Sequence, residues 1–141
     1  MPTAFAYLPT AFAAIIRLAG MDEAPEEMAV RTAIWVAAHL RRCFGQGLTG
    51  VVARRGAEEA GSVFVRVILR DGSIRLFGPA PGPAFDEQGR RRFHLRITAA
   101  IDEAQVVDAM IAREVRFDPD LWVLDIDDPA GSGLLNADFS D

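Results

Sequence analysis

Lysine is absent from the 141-residue sequence, so all 15 cationic side chains are arginines. Cysteine occurs once, as Cys43, and histidine twice, as His39 and His94. One thiol cannot form an internal disulfide, and one Cys with two His cannot build a Cys-rich zinc site. No phosphate-loop, dinucleotide-binding, hydrolase-elbow or zincin motif occurs in the sequence. We therefore expect no cofactor, no metal and no familiar catalytic centre.

The amino-terminal end lacks the features of an exported or membrane-anchored protein. Residues 1–20 are apolar, but a proline interrupts them and their only charge, Arg17, follows the apolar run instead of preceding it. A secretory signal needs a basic region first, and a membrane span needs about 20 uninterrupted apolar residues. We predict a cytoplasmic protein with no membrane contact. Residues 1–28, apolar and then acidic, are expected to be disordered or to precede a true start at Met21 or Met28.

The net charge of −5 is unevenly distributed along the chain. Residues 29–100 hold 12 Arg against 5 acidic residues, whereas residues 101–141 hold 2 Arg against 11 acidic residues. This pattern fits either an anionic partner for the basic part or attraction between two parts of one domain. Length and apolar content predict a single domain over residues 29–128. Residues 129–141, rich in turn residues, are expected to form a flexible acidic tail.

Two segments have the apolar spacing of amphipathic helices. The first runs from Ala29 to Phe44, before two glycines, and its predicted buried stripe comprises Val30, Ala33, Ile34, Ala37, Leu40 and Phe44. The second begins at a capping box formed by Asp102 and Gln105 and runs to about Arg116. Its predicted buried residues are Val107, Met110, Ile111 and Val115.

Five segments alternate as strands do. They are Leu48–Arg54, Val63–Arg70, Ser73–Phe77, Arg92–Ile97 and Leu121–Asp127. Asp71-Gly72 between the second and third favours a two-residue hairpin loop, which pairs Ile68 with Arg75 and Val67 with Leu76. The prediction is an α+β fold with a mainly antiparallel sheet of about five strands and two amphipathic helices, in the order α-β-β-β-β-α-β.

Arginine and aromatic residues recur on the strands predicted to be neighbours. If the fourth strand pairs in phase with the hairpin, one face carries a set of candidate binding residues, namely Arg66, Arg70, Arg75, Phe77, Arg92, His94 and Arg96. Mixed guanidinium and aromatic surfaces are typical of protein interfaces, and they can also bind phosphates and stack on bases.

Three functions are compatible with these observations. The first is a non-enzymatic protein-interaction module that binds a partner or a second copy through this face or through a free strand edge. The second is binding of nucleic acid or another polyanion by the same basic face. The third is a small enzyme with a site near the loop of residues 78–94, where Asp86 and Glu87 could approach His94.

Several strings resemble the family called domain of unknown function 1491, a group of small uncharacterised proteins of alphaproteobacteria. They are Trp35-Val36 with Leu40-Arg41-Arg42, Arg54-Arg55-Gly56, Glu59-Ala60-Gly61, Gly78-Pro79-Ala80, Arg91-Arg92-Phe93, and Ala112-Arg113-Glu114 leading into Phe117-Asp118-Pro119-Asp120-Leu121-Trp122. The resemblance covers about residues 32–128 and is most specific from Arg113 to Trp122. It implies no activity, cofactor or catalytic residue. Residues 1–30 lie outside it, which supports a late start.

Overall fold

The computed structural model describes residues 31–138, so the predicted leader and its start sites lie outside the described residues. In chain order the elements are α1 (Thr32–Gly45), β1 (Thr49–Arg54), β2 (Val63–Ile68), β3 (Ile74–Pro79), β4 (Arg92–Ala99), a 3-10 turn (Ile101–Glu103), α2 (Ala104–Phe117), β5 (Trp122–Asp127) and β6 (Asn136–Asp138).

One six-stranded sheet, in the order β1-β5-β2-β3-β4-β6, forms the centre of the fold. Neighbouring strands are antiparallel, except that β5 lies parallel to β2 and β6 lies parallel to β4. The predicted α+β class and the order of its elements are confirmed. The sixth strand was not predicted, because three residues are too few to show an alternating pattern.

The hairpin of β2 and β3 has a different register from the predicted one. Val65 lies opposite Phe77, and Val67 lies opposite Arg75. The amide of Leu69 donates to the Ser73 carbonyl at 2.9 Å, which encloses a three-residue loop instead of two. Gly72 closes that loop with a φ of 84°, a conformation that favours glycine. The predicted pairing is therefore wrong by one residue, and such a slip exchanges the two faces of a strand relative to its partner.

Both faces of the sheet are covered, each by one helix. Against α1 lie buried side chains of β2, β3, β4 and β5, including Val63, Val65, Val67, Phe77, Phe93, Trp122, Leu124 and Ile126. Against α2 lie Phe64, Leu76, Ala99, Leu121 and Val123, together with Val107 of α2 itself. The prediction that Val107, Met110, Ile111 and Val115 are the packed residues of α2 is confirmed. The central strands are consequently apolar on both sides, as buried strands are.

The helices differ from prediction in two details. The buried side of α1 is formed by Thr32, Val36, His39 and Cys43, whereas Phe44 is 58% exposed, so the predicted stripe is rotated around the helix. Because α1 is rich in alanine and apolar on several sides, the sequence pattern did not determine which side of the helix faces the core. The capping box is wrong, because Asp102 lies within the 3-10 turn and α2 begins with no side-chain cap. Neither helix in residues 31–138 is long and apolar enough to cross a bilayer.

The segment after Asp128 packs on the domain, where we expected a tail. The Asp128 carboxylate accepts hydrogen bonds from the amides of Ala130, Ser132 and Gly133, at 2.8–3.1 Å. Leu135 and Ala137 then pack against the α1 side of the core, and β6 pairs with the start of β4. The ordered fold thus continues through residue 138.

Candidate functional site

Arg66, the first of the predicted binding residues, is held by two carboxylates. Its Nε and Nη2 donate to the two oxygens of Asp125 at 2.7 and 3.2 Å, and its Nη1 donates to Asp108 Oδ1 at 2.8 Å. Asp125 belongs to β5 and Asp108 to α2, so the guanidinium joins the sheet to the helix. A bidentate pair of this kind fixes the Arg side chain in one orientation.

Arg96 is the second predicted residue on the α2 side of the sheet. Its Nη2 lies 3.1 Å from Glu114 Oε2, and its guanidinium lies 5.5 Å from the ring centre of Phe64. The acidic carboxyl-terminal part of the sequence therefore supplies partners for Arg66 and for Arg96. Attraction within one domain, one of the two interpretations of the charge pattern, accounts for both residues.

The remaining predicted residues are dispersed. Phe77 is fully buried against α1. Arg75 lies on that same side and donates to the Gly131 carbonyl at 3.1 Å. Arg70 is exposed in the hairpin loop, and His94 lies half-buried beside Gly78. The predicted common face of seven binding residues is not formed, because the register slip and the two helices divide its members.

β1 forms one edge of the sheet and has exposed apolar side chains. Among residues 31–138, β1 pairs on one side only, with β5. Val51 is 60% exposed and Val52 is 40% exposed, and Arg54 is the one charged residue of the strand. Gly50 approaches Leu40 of α1 so closely that an added Cβ would lie 2.8 Å from its Cδ2. α1 therefore packs against β1, and no strand within residues 31–138 pairs with its outer edge.

A cavity of about 180 Å³ lies where β2 and β4 begin and β3 ends. Arg91 and Arg92 line it, together with the hydroxyl residues Thr32 and Ser62 and with apolar side chains that include Phe85. Arg91 was not among the predicted binding residues, although the string Arg91-Arg92-Phe93 contributes to the family resemblance. The cavity joins residues from four separate parts of the chain, which no local pattern reveals.

The guanidinium groups of this cavity are held by distinct contacts. Arg91 lies 5.2 Å from the ring centres of both Trp35 and Phe85, a distance at which cation–π attraction operates. Burial lowers the pKa of Arg91 to about 10, so the side chain stays charged at neutral pH. Arg92 donates through Nη1 to the carbonyls of Pro81 and Pro83, at 3.0 and 2.6 Å.

His39 and Cys43, one turn apart on α1, are buried against the carboxyl-terminal segment. Nδ1 of His39 lies 2.8 Å from Nη2 of Arg42, and its Nε2 lies 2.9 Å from the Gly133 carbonyl oxygen. Burial, reinforced by the charge of Arg42, lowers the pKa of His39 to about 4. Burial also raises the pKa of the Cys43 thiol. A neutral imidazole and a protonated thiol, both inaccessible to solvent, form a packing arrangement and not a nucleophilic pair.

Asp86 organises the loop that was considered for an enzymatic site. Its carboxylate accepts hydrogen bonds from the amides of Gln88 and Arg90, from the Arg90 guanidinium, and from the Asn136 side chain. These contacts connect the loop to β6. Asp86 therefore holds the loop in place. Its hydrogen bonds within residues 31–138 do not include one to His94, so the two side chains do not form an acid–base pair.

Three of the strings that carry the family resemblance meet around Trp122. Its indole Nε1 donates to the Ala57 carbonyl at 2.7 Å, and the Arg55 guanidinium lies 5.2 Å from its ring centre. A Cβ added at Gly56 or Gly61 would collide with the Asp120 carbonyl oxygen and the indole ring. Close packing around Trp122 therefore requires glycine at both positions.

Comparison with known proteins gives the same family. Residues 30–136 match the family described as protein of unknown function (DUF1491). A solution structure of a protein from A. tumefaciens is 37% identical, covers 80% of this chain and 98% of its own, and superposes with a TM-score of 0.67. A crystal structure of a DUF1491 family protein from Caulobacter crescentus is 34% identical, covers 76% and 97% of the two chains, and has a TM-score of 0.61.

No curated protein of assigned function matches the sequence. The family match extends eight residues beyond the expected boundary at residue 128, to residue 136, and so includes the segment that packs beside β4. Both the match and the two solved structures agree with the resemblance found in the sequence. The chain belongs to the DUF1491 family of proteins of unknown function.

Proposed function

We propose that this chain is a non-enzymatic, cytoplasmic protein-interaction module that binds an extended strand of another polypeptide along the outer edge of β1. The observation that carries the proposal is the outer edge of β1, with which no strand of residues 31–138 pairs. Val51 and Val52 are exposed there, and the strand has no charged side chain before Arg54. Natural proteins usually protect such an edge with charged side chains, proline or a covering element. An unprotected edge supports strand addition, in which main-chain hydrogen bonds supply affinity.

The shape of β1 sets the length of the bound strand. Residues Thr49–Val52 pair regularly with β5, and the register then shifts between Val52 and Arg54. Such a bulge bends a strand and ends regular pairing on its outer side. A partner strand therefore has about four residues to pair with, which suits a regulated contact more than a permanent one.

Binding through the basic sheet face receives less support from the geometry. Arg66 and Arg96 already contact carboxylates, and Phe77 is inaccessible. Binding of nucleic acid or another polyanion stays a prediction for Arg66, Arg70, Arg75, Phe77, Arg92, His94 and Arg96, which do not share one face. We favour binding at the β1 edge, because such binding does not require the ion pairs of Arg66 and Arg96 to break.

The test compares two lysine substitutions at exposed valines. Val51→Lys places a charge on the edge, whereas Val106→Lys places the same charge on α2, where Val106 is 40% exposed. Each tagged variant is expressed in its native cells and the co-purifying proteins are quantified. We expect Val51→Lys to lose a partner that the wild-type chain and Val106→Lys retain, with all three melting at similar temperatures. Identical co-purification by all three would contradict the proposal.

Light scattering identifies whether the bound strand comes from a second copy. Pairing of two β1 edges would give a dimer whose fraction rises with concentration, and Val51→Lys would shift it toward the monomer while Val106→Lys would not. A monomer at all concentrations assigns the strand to a different protein. If both variants lost the dimer equally, the dimer interface would not lie at the β1 edge.

A further inference from the structure

The cavity between the ends of β2, β3 and β4 has a lining of uneven chemistry. Its apolar part includes Val63, Phe85 and Phe93, all buried. Its charged part consists of Arg91 and Arg92, and the lining contains no Asp or Glu. Pockets that bind small molecules commonly combine apolar walls with a few polar groups that orient the ligand. We propose that this cavity binds a small monocarboxylate, with the carboxylate at Arg91 and Arg92 and the apolar body against Phe85 and Phe93.

The arginines are suited to a carboxylate because their positions are fixed before a ligand arrives. Arg92 is tied to the carbonyls of Pro81 and Pro83, which leave its cationic charge uncompensated, and it forms no salt bridge within residues 31–138. Arg91 is oriented by the rings of Trp35 and Phe85. A guanidinium presents its N–H groups in a planar fork that matches the two oxygens of a carboxylate.

The charges of the lining favour an anion over a neutral ligand. Arg91 and Arg92 are both cationic at neutral pH, and no acidic side chain lines the cavity. A negative group in the cavity is attracted by both charges, whereas a neutral group of equal shape is attracted only weakly. This inference is independent of the strand-binding function, because the cavity and the β1 edge lie on different strands.

The volume limits the size of the ligand. The cavity measures about 180 Å³, below the range of about 300–1,000 Å³ that is usual for drug-sized molecules. A water molecule takes up about 30 Å³ in the liquid, so the space corresponds to about six waters and suits a small ligand. A carboxylate with a short aliphatic chain has this size, and butyrate is a suitable probe.

The experiment follows backbone amide resonances by NMR during titration with butyrate, with butyramide and with inorganic phosphate. We expect butyrate to shift the amides of Ser62, Val63 and Phe93 with a Kd on the order of 1 mM or below. Butyramide, which has the same shape without the charge, should bind at least tenfold more weakly. Phosphate, which lacks an apolar body, should also bind more weakly than butyrate.

Two variants and one control locate the site. Arg92→Gln removes one guanidinium and should weaken butyrate binding about tenfold or more. Ala84→Leu adds bulk to the lining while keeping both arginines, and it should also weaken butyrate binding, so the test remains valid if Arg92→Gln disturbs the loop. Arg113→Gln, an exposed residue of α2, makes the same charge change elsewhere and should leave binding unchanged.

Four results would overturn the inference. They are no saturable shift with butyrate, equal affinity for butyramide, equal or tighter binding of phosphate, and an equal loss of affinity in Arg113→Gln. The proposed strand-binding function is tested by Val51→Lys, which leaves this cavity intact, so failure of either proposal can be distinguished from failure of the other.

Discussion

His39 donates a hydrogen bond from Nε2 to the carbonyl oxygen of Gly133, 94 residues later in the chain, at 2.9 Å. The direction follows from the other ring nitrogen. Nδ1 faces Nη2 of Arg42, which can only donate, so Nδ1 accepts and the proton resides on Nε2. The imidazole is 1% exposed and stacks on Trp35 with 4.8 Å between ring centres. A single neutral tautomer thus joins the first helix to the carboxyl-terminal segment.

This arrangement makes stability depend on pH. The pKa of His39 is lowered from 6.5 to about 4, so the unfolded chain binds a proton that the folded chain excludes. Its contribution is fully present above pH 6.5 and is lost as the pH falls from 6.5 to about 4. The difference corresponds to roughly 3 kcal/mol of unfolding free energy. Urea unfolding across this range measures it.

His39→Gln is the matched variant, because its side-chain amide can make both hydrogen bonds without titrating. We expect the wild-type chain to lose roughly 3 kcal/mol more than His39→Gln between pH 7 and pH 4. Carboxylates titrate in both proteins and cancel in the comparison. Parallel pH profiles for the two proteins would show that His39 is not buried as a neutral ring.

Asp128 is expected to be essential for the segment that follows it. Burial alone would raise its pKa, but hydrogen bonds from Gly133, Ala130 and Ser132 outweigh burial and lower the pKa overall. In Asp128→Asn one acceptor oxygen becomes an amide donor that faces backbone N–H groups. We predict a loss of roughly 2–3 kcal/mol of unfolding free energy, measured by chemical denaturation. Asp127→Asn, the exposed neighbour, should change it by less than about 0.5 kcal/mol.

The two carboxylates that contact Arg66 should contribute unequally. Asp125 is 31% exposed and accepts two hydrogen bonds, whereas Asp108 is 65% exposed and accepts one. Double-mutant cycles with Arg66→Met measure each coupling. We expect roughly 1–3 kcal/mol with Asp125→Asn and less than about 1 kcal/mol with Asp108→Asn. A larger coupling to Asp108 would contradict the observed geometry.

Gly61 should tolerate no side chain. A Cβ there would lie 2.8 Å from Cδ1 of Trp122 and would also collide with the Asp120 carbonyl oxygen. We predict that Gly61→Ala costs roughly 2–4 kcal/mol of unfolding free energy. Gly45→Ala is the control, since its Cβ would meet nothing within 4 Å. It should leave stability unchanged or raise it by up to about 1 kcal/mol, because alanine favours helix. Equal effects of the two substitutions would contradict the close packing at Trp122.

The sequence predicted the strands better than their pairing. Alternation located β2, β3, β4 and β5 to within a few residues, since an apolar strand pattern is local. The loop after Leu69 was ambiguous, because Asp71-Gly72 serves a two-residue loop as well as a three-residue loop that ends in glycine. Because the loop has three residues and not two, Phe77 and Arg75 lie on the opposite face, relative to β2, from the predicted one. Short β6 carried no pattern of its own.

The candidate sites were less accessible to sequence analysis. A free strand edge was predicted in general terms. Its location on β1 depends on β5 inserting between β1 and β2, which is a pairing of segments far apart in the chain. The cavity depends on Thr32, Ser62, Phe85 and Arg91, which are far apart in the chain. The ion pairs of Arg66 and Arg96 could not be predicted for the same reason, since Asp108, Glu114 and Asp125 come from elements that follow the arginines.

Photo-cross-linking from β1 tests the strand-binding function most directly. A benzophenone amino acid replaces Val51 in one protein and Val106 in another, and each is irradiated in native cells. We predict a discrete adduct from position 51, which mass spectrometry maps to one extended segment, and no such adduct from position 106. Adducts of equal yield and identity from both positions, or none from position 51, would contradict an interface at the β1 edge.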